Sequence, residues 1–201
     1  MTRITAAASA TCAALALLAA PVHAHLIESG LGPVYDGVAH FALTAQDAAP
    51  TLALGLFAGL RGADHGRRAM FALPSSWFLG GCLGMVAGSL ADNFTLGAQA
   101  AWLPLLLLGG LVAADVRVSN TITTALAIVL GLLLGLENGI ALGPTGGLPG
   151  LVGIVACVFA VVTLTAAWVA SCDGRVARTA ARVVGSWIAA SGMLLLGWSL
   201  R

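Results

Sequence analysis

The chain has no lysine, and only 8% of its 201 residues are charged. A soluble domain carries about 25% charged residues. Nine arginines and eight acidic side chains are too few to cover a soluble body of this size. The scarcity therefore excludes a water-exposed surface of the ordinary kind. No basic patch is interleaved with aromatics, which sets nucleic-acid binding aside. The four cysteines, Cys12, Cys82, Cys157 and Cys172, stand far apart without a C-x-x-C pair. That spacing argues against a structural disulfide or a thiolate metal site. There is no Gly-rich phosphate loop of the Walker kind. No two histidines share one apolar run, as a haem site would require. Ser29 is near His25 and Glu28 only along the chain, so no nucleophile–base–acid set exists. Neither an enzyme nor ATP-driven transport by this chain alone is expected.

What is present is apolar. Hydrophobic residues make up 59% of the chain, and its mean hydropathy is +0.99. The apolar residues form long runs rather than a core-and-surface pattern, which points to membrane spans. The predicted fold class is all-α: a polytopic integral membrane helical bundle with six transmembrane helices. The spans read as roughly 38–60, 70–90, 96–114, 121–142, 149–171 and 183–199. Each approaches the ~20 residues needed to cross about 30 Å of hydrocarbon. Pro50 should make the outer part of the first span a kinked or separate piece. Asn120 is placed to cap the fourth span. Gly80, Gly81, Gly84 and Gly88, and again Gly131 and Gly135, recur at helical spacing, which lets transmembrane helices approach closely.

Residues 1–24 read as a secretory signal peptide: Arg3 at the start, an apolar core, and Val22-His23-Ala24 as a small-x-small cleavage site. The competing reading keeps this segment as an uncleaved first span, giving seven. Cleavage would leave residues 25–201 as a single six-span domain beginning at His25. Its free α-amine and imidazole together would chelate copper, nickel or zinc.

The few charges are segregated. Seven of the nine arginines fall in three short segments between spans: Arg61, Arg67 and Arg68; Arg117; Arg175, Arg178 and Arg182. The alternate connections carry none. Excess arginine marks the cytoplasmic side. Both mature ends are then periplasmic, in agreement with an exported leader, and the location is a bacterial inner membrane. His65 and Asp64 lie among the arginines and read as solvated loop residues.

The groups able to hold a cation collect near the opposite ends of the spans: His25, Asp36, His40, Asp47 and Glu137. An intramembrane carboxylate such as Glu137 is costly and faces protein or a water-filled cavity. His40 and Asp47, seven residues apart, would share a face of a continuous helix. These groups can meet in one outward-facing cavity and replace part of a divalent ion's water shell. Three readings stay open: a purely structural network, cation binding without transport, and cation passage.

Several stretches are similar to the HupE/UreJ family of small membrane proteins: GVAHFALTAQD at 37–47, LALGLFAGLRG at 52–62, FALPSSWFLGGCLG at 71–84 and GLENG at 135–139. The resemblance covers nearly the whole chain. Members accompany hydrogenase or urease gene sets and are regarded as nickel, sometimes cobalt, permeases. His40 matches the first histidine of the family's first-span motif. Gln46 stands where an aspartate is usual, and Asp47 where a second histidine is usual. Of the later motif only Gly135, Glu137 and Gly139 have counterparts. The opening HLIESGLGPVYDGVAHFALTAQD is similar to a divergent branch. The resemblance implies a permease for a divalent transition-metal ion, nickel first, with copper, cobalt or zinc as other substrates or bound ions. The alternative is a non-transporting accessory protein of a metalloenzyme or respiratory complex. Lipid is the expected surrounding partner, and homo-oligomers are compatible with the pattern.

Overall fold

The computed structural model describes residues 29–88, 101–142, 147–172 and 174–200. The proposed leader and His25 lie outside the described residues. Those residues form seven helices and no strand: α1 Pro33–Leu43, α2 Ala45–Arg61, α3 Ala63–Gly88, α4 Trp102–Ala113, α5 Asn120–Leu142, α6 Gly147–Ser171 and α7 Arg175–Ser199. Four of them, α3, α5, α6 and α7, are long and apolar enough to cross a membrane.

The outer part of the expected first span is a separate helix, as anticipated. The break falls at Thr44, in extended conformation (φ −93°, ψ 92°), and not at Pro50, which lies inside α2. A proline's missing N–H and its ring affect the carbonyl four residues earlier. Here that residue is Gln46, in the first turn of α2. Starting the helix at Ala45 confines the disruption to the helix end. The expected loop at 61–68 is also mostly helical. Gly62 alone separates α2 from α3, at φ 104°, a backbone conformation only glycine adopts without strain. Asp64, His65, Arg67 and Arg68 therefore belong to the first two turns of α3. His65 is half-buried, with Nδ1 2.8 Å from Thr123 Oγ1, and is not the solvated loop residue expected. The cap of α5 is Ser119, whose Oγ accepts from the Ile122 N–H at 3.4 Å, and not Asn120. Helix α7 begins at Arg175, so the last arginine segment is its first two turns.

Helix α2 is the hub. Its Ala53, Leu54, Leu56, Phe57 and Ala58 are buried, and it packs against α3, α4, α6 and α7. Helices α3 and α5 form the most extensive pair, and α4 lies along α7. The contacts are made backbone to backbone through glycine. A Cβ on Gly135 would fall on the Trp77 carbonyl, one on Gly139 on the Gly81 carbonyl, and one on Gly84 on the Leu136 carbonyl. The same relation joins Gly37 of α1 to the Gly150 carbonyl of α6. The expected small-residue contacts of Gly80, Gly84, Gly131 and Gly135 are thus present between α3 and α5. Lipid offers no hydrophobic drive between helices, so close packing and Cα–H···O contacts, worth about 0.5–1 kcal/mol each, carry association.

Large apolar side chains cover the outside: Leu79, Leu83, Leu107, Phe159, Leu164, Trp187, Leu194 and Trp198 are all exposed. In water such a surface would aggregate. Together with the four long apolar helices it describes a protein embedded in a membrane.

Candidate functional site

The two ends of α2 carry the two polar clusters. Near its N-terminus, Asp47 is only 4% exposed. Its Oδ2 accepts a hydrogen bond from Asn138 Nδ2 of α5 at 3.1 Å and lies 3.9 Å from His40 Nε2 of α1. His40 is 9% and Asn138 3% exposed.

This meeting depends on the break at Thr44. In a continuous helix, residues 40 and 47 would sit about 10 Å apart along the axis. The chain leaves α1 with the Thr44 N–H on the His40 carbonyl, and α2 restarts with the N–H groups of Asp47 and Ala48 on the Thr44 carbonyl. The imidazole and carboxylate therefore face each other across a joint, and do not share the single helical face expected from their spacing. Asp47 lies in the first turn of α2, where the helix dipole favours negative charge. Thr51 Oγ1 donates to the Asp47 carbonyl at 2.8 Å and holds that turn together.

Asn138 is positioned by its own helix. Its Nδ2 also donates to the Leu134 carbonyl at 2.8 Å, one turn earlier. That bond orients the amide and turns the buried Oδ1 toward the His40 imidazole, with no close hydrogen bond to it. Glu137, the preceding residue, is half-buried and close enough to interact electrostatically with Asp47. Fully buried Trp77 of α3 stands edge-on to Phe41, the residue after His40, with ring centroids 6.2 Å apart.

Of the residues singled out from sequence, His40 and Asp47 come together, and Glu137 lies near enough to act on Asp47 through its charge without a direct contact to either. Asp36 does not join them. Its Oδ1 accepts from Ser29 Oγ at 2.5 Å and from the Ser29 backbone N–H at 2.6 Å. His25 lies outside the described residues. Among the described residues no group of three or more His, Cys, Asp or Glu is arranged to hold a metal ion. The donors that do converge are the Asp47 carboxylate, the Asn138 amide and the His40 imidazole. Asn138 is not among the residues singled out from sequence. The available signal was an amide beside a carboxylate inside an apolar run.

At the other end of α2 the chemistry is complementary. Asp115, in the short link between α4 and α5, adopts φ 54°. Its Oδ1 accepts from Arg61 Nη1 and its Oδ2 from Arg178 Nε, both at 2.6 Å. The Arg178 and Arg61 guanidiniums hold its carboxyl down at about 2. Arg61 also stands 5.0 Å above the Phe57 ring, and Arg182 Nε donates to the Ala113 carbonyl at the end of α4. One carboxylate thereby ties α2, α4 and α7 together.

The class these features define is an α-helical membrane-embedded protein with a buried polar cluster at one end of its central helix. No family model matches the chain, and neither a curated protein nor a solved structure matches it.

Proposed function

We propose that the protein is a HupE/UreJ-like permease for a divalent transition-metal ion, with nickel as the first substrate and copper, cobalt or zinc as others. The supporting observation is the unbalanced cluster at the N-terminal end of α2. Asp47 is buried among apolar helices with an amide and an imidazole as neighbours, and the Asn138 oxygen beside it makes no close hydrogen bond. Intramembrane carboxylates of this kind mark ion pathways. A divalent cation supplies what the cluster lacks: positive charge for Asp47 and Glu137, and a partner for Asn138 Oδ1. Oxygen-rich coordination with a single imidazole is loose for a transition metal. Conduction needs an ion that can leave, so weak successive contacts suit passage better than a closed cage.

In this reading α1 and α2 together make the first of six spans, and α4 is the described part of the third. The arginine-bearing ends face the cytoplasm and the Asp47 end faces the periplasm of a bacterial inner membrane. Residues 1–24 are removed, leaving both mature ends periplasmic. The mature His25 with its free amine would add nitrogen donors at the entrance, and Asp36 would add a carboxylate near it. The membrane potential favours inward movement of the positive ion.

The test is uptake of radioactive nickel by a transporter-deficient cell expressing the full chain, with Glu137→Ala and His40→Ala alongside. Both substitutions should abolish the gain in uptake. Unchanged uptake in both sinks this route.

One observation favours a second reading, the non-transporting accessory protein. The His40–Asp47–Asn138 contacts join three helices and involve no metal-holding group of three acidic, histidine or cysteine residues. A tie of this kind would serve a scaffold that docks on a metalloenzyme or respiratory complex. Stable co-purification of such a complex, without metal uptake, would select it.

A further inference from the structure

A cavity of about 500 Å³ opens between the C-terminal ends of α2 and α6 and the start of α7. Arg61, Arg175 and Arg178 line it, together with Gly62 and Cys172. Two of these arginines share Asp115. Arg175 makes no side-chain hydrogen bond or ion pair among the described residues. Against Asp115, and Asp173 of the sequence, which lies outside the described residues, the three arginines that line the cavity leave one positive charge in excess.

Arg61 supplies an independent indication. Its side chain is 5% exposed, and only Nη1 is bonded. Nε and Nη2 are buried without a partner. Buried guanidinium N–H groups left unmade are costly, and a small shift of the side chain toward the cavity would bring their fork to a phosphate.

The cavity does not stand alone. Arg175 also borders an apolar groove of about 570 Å³ along α7, lined by Val176, Thr179, Ala180, Val183 and Val184. Val184 in turn borders a second groove of about 570 Å³, which continues past Trp187, Ile188 and Leu194. Ten residues of helix rise about 15 Å, the depth of one leaflet's hydrocarbon. The run from Val176 to Trp187 is therefore long enough for one acyl chain.

The geometry points to a bound anionic phospholipid, its phosphate against Arg61, Arg175 and Arg178 and one acyl chain laid along α7. A free phosphate would use the cationic cavity but leave the adjoining apolar groove unexplained. A zwitterionic lipid would fill the groove but bring an ammonium toward the excess arginines.

The test is native mass spectrometry of the full chain in detergent, incubated with dioleoyl phosphatidylglycerol or dioleoyl phosphatidylcholine. Phosphatidylglycerol should be retained in preference. Arg175→Gln should lower that retention about fivefold, the effect of one arginine near a lipid surface. Arg117→Gln, exposed and outside the cavity, should leave it unchanged. Ala180→Trp should block lipid without touching the arginines, and each variant's thermal midpoint checks its fold. Millimolar inorganic phosphate should not displace the lipid. Equal retention of the two lipids, indifference to Arg175→Gln, or full displacement by phosphate would overturn the assignment.

Discussion

Helix α2 carries a buried acid at its beginning and a buried base at its end, and the two are treated in opposite ways. Arg61 meets Asp115, which also receives Arg178, so both carboxylate oxygens are bonded to cations. Asp47 meets an amide and an imidazole 3.9 Å away and has no arginine. Both placements suit the helix dipole, with the acid in the first turn and the base in the last. The dipole therefore does not distinguish them; the partner does. A compensated charge in an apolar interior is a tie between helices. A carboxylate held by neutral groups stays available to a cation.

The contrast is open to direct attack. Asp115→Leu should be the most damaging change, because it strands Arg61 in a buried position with no anion. Removing one partner of a buried pair costs about 3–5 kcal/mol. A thermal midpoint lowered only slightly in detergent would show that Asp115 is no lock. Acid should act on the same residue by protonation. Its folded-state value of about 2 lies below the ordinary 3.8, so its contribution is complete above 3.8 and is lost as pH falls toward 2. Circular dichroism over that range should show wild-type destabilisation that Asp115→Asn no longer shares.

Gly135→Leu probes packing apart from charge. Its side chain would meet the Trp77 carbonyl and push α3 from α5, at a cost of about 1–3 kcal/mol. An unchanged midpoint would mean that the glycine contacts contribute little. The smallest effect on stability is expected at the other end of α2. Asp47→Asn keeps an acceptor for Asn138 and should shift stability by less than about 1 kcal/mol. It should nevertheless abolish nickel uptake, since the charge is what a cation needs. A large loss of stability with uptake intact would reverse the contrast, making Asp47 the tie.

Much of the frame could be read from residue order. The long apolar runs appear as α3, α5, α6 and α7, and the glycine spacing at 80, 84, 131 and 135 appears as the α3–α5 contact. The site was legible in kind but not in construction. Spacing placed His40 and Asp47 on one face of a helix, whereas the break at Thr44 sets them on two. Asp36 was grouped with them by proximity along the chain, but a local bond to Ser29 takes its carboxylate. Nothing in the sequence marks Asp115, because one acid in a short link looks solvated until α2 and α7 bring arginines to it.

Apolar run length and glycine spacing depend on local chemistry: how long a helix must be to cross lipid, and which faces can touch. Residue order is sufficient for these. The partners of Asp47 and Asp115 lie 91 and 63 positions away, in Asn138 and Arg178. Whether a buried charge finds a cation or an amide depends on which helices pack together, and only the assembled bundle decides that.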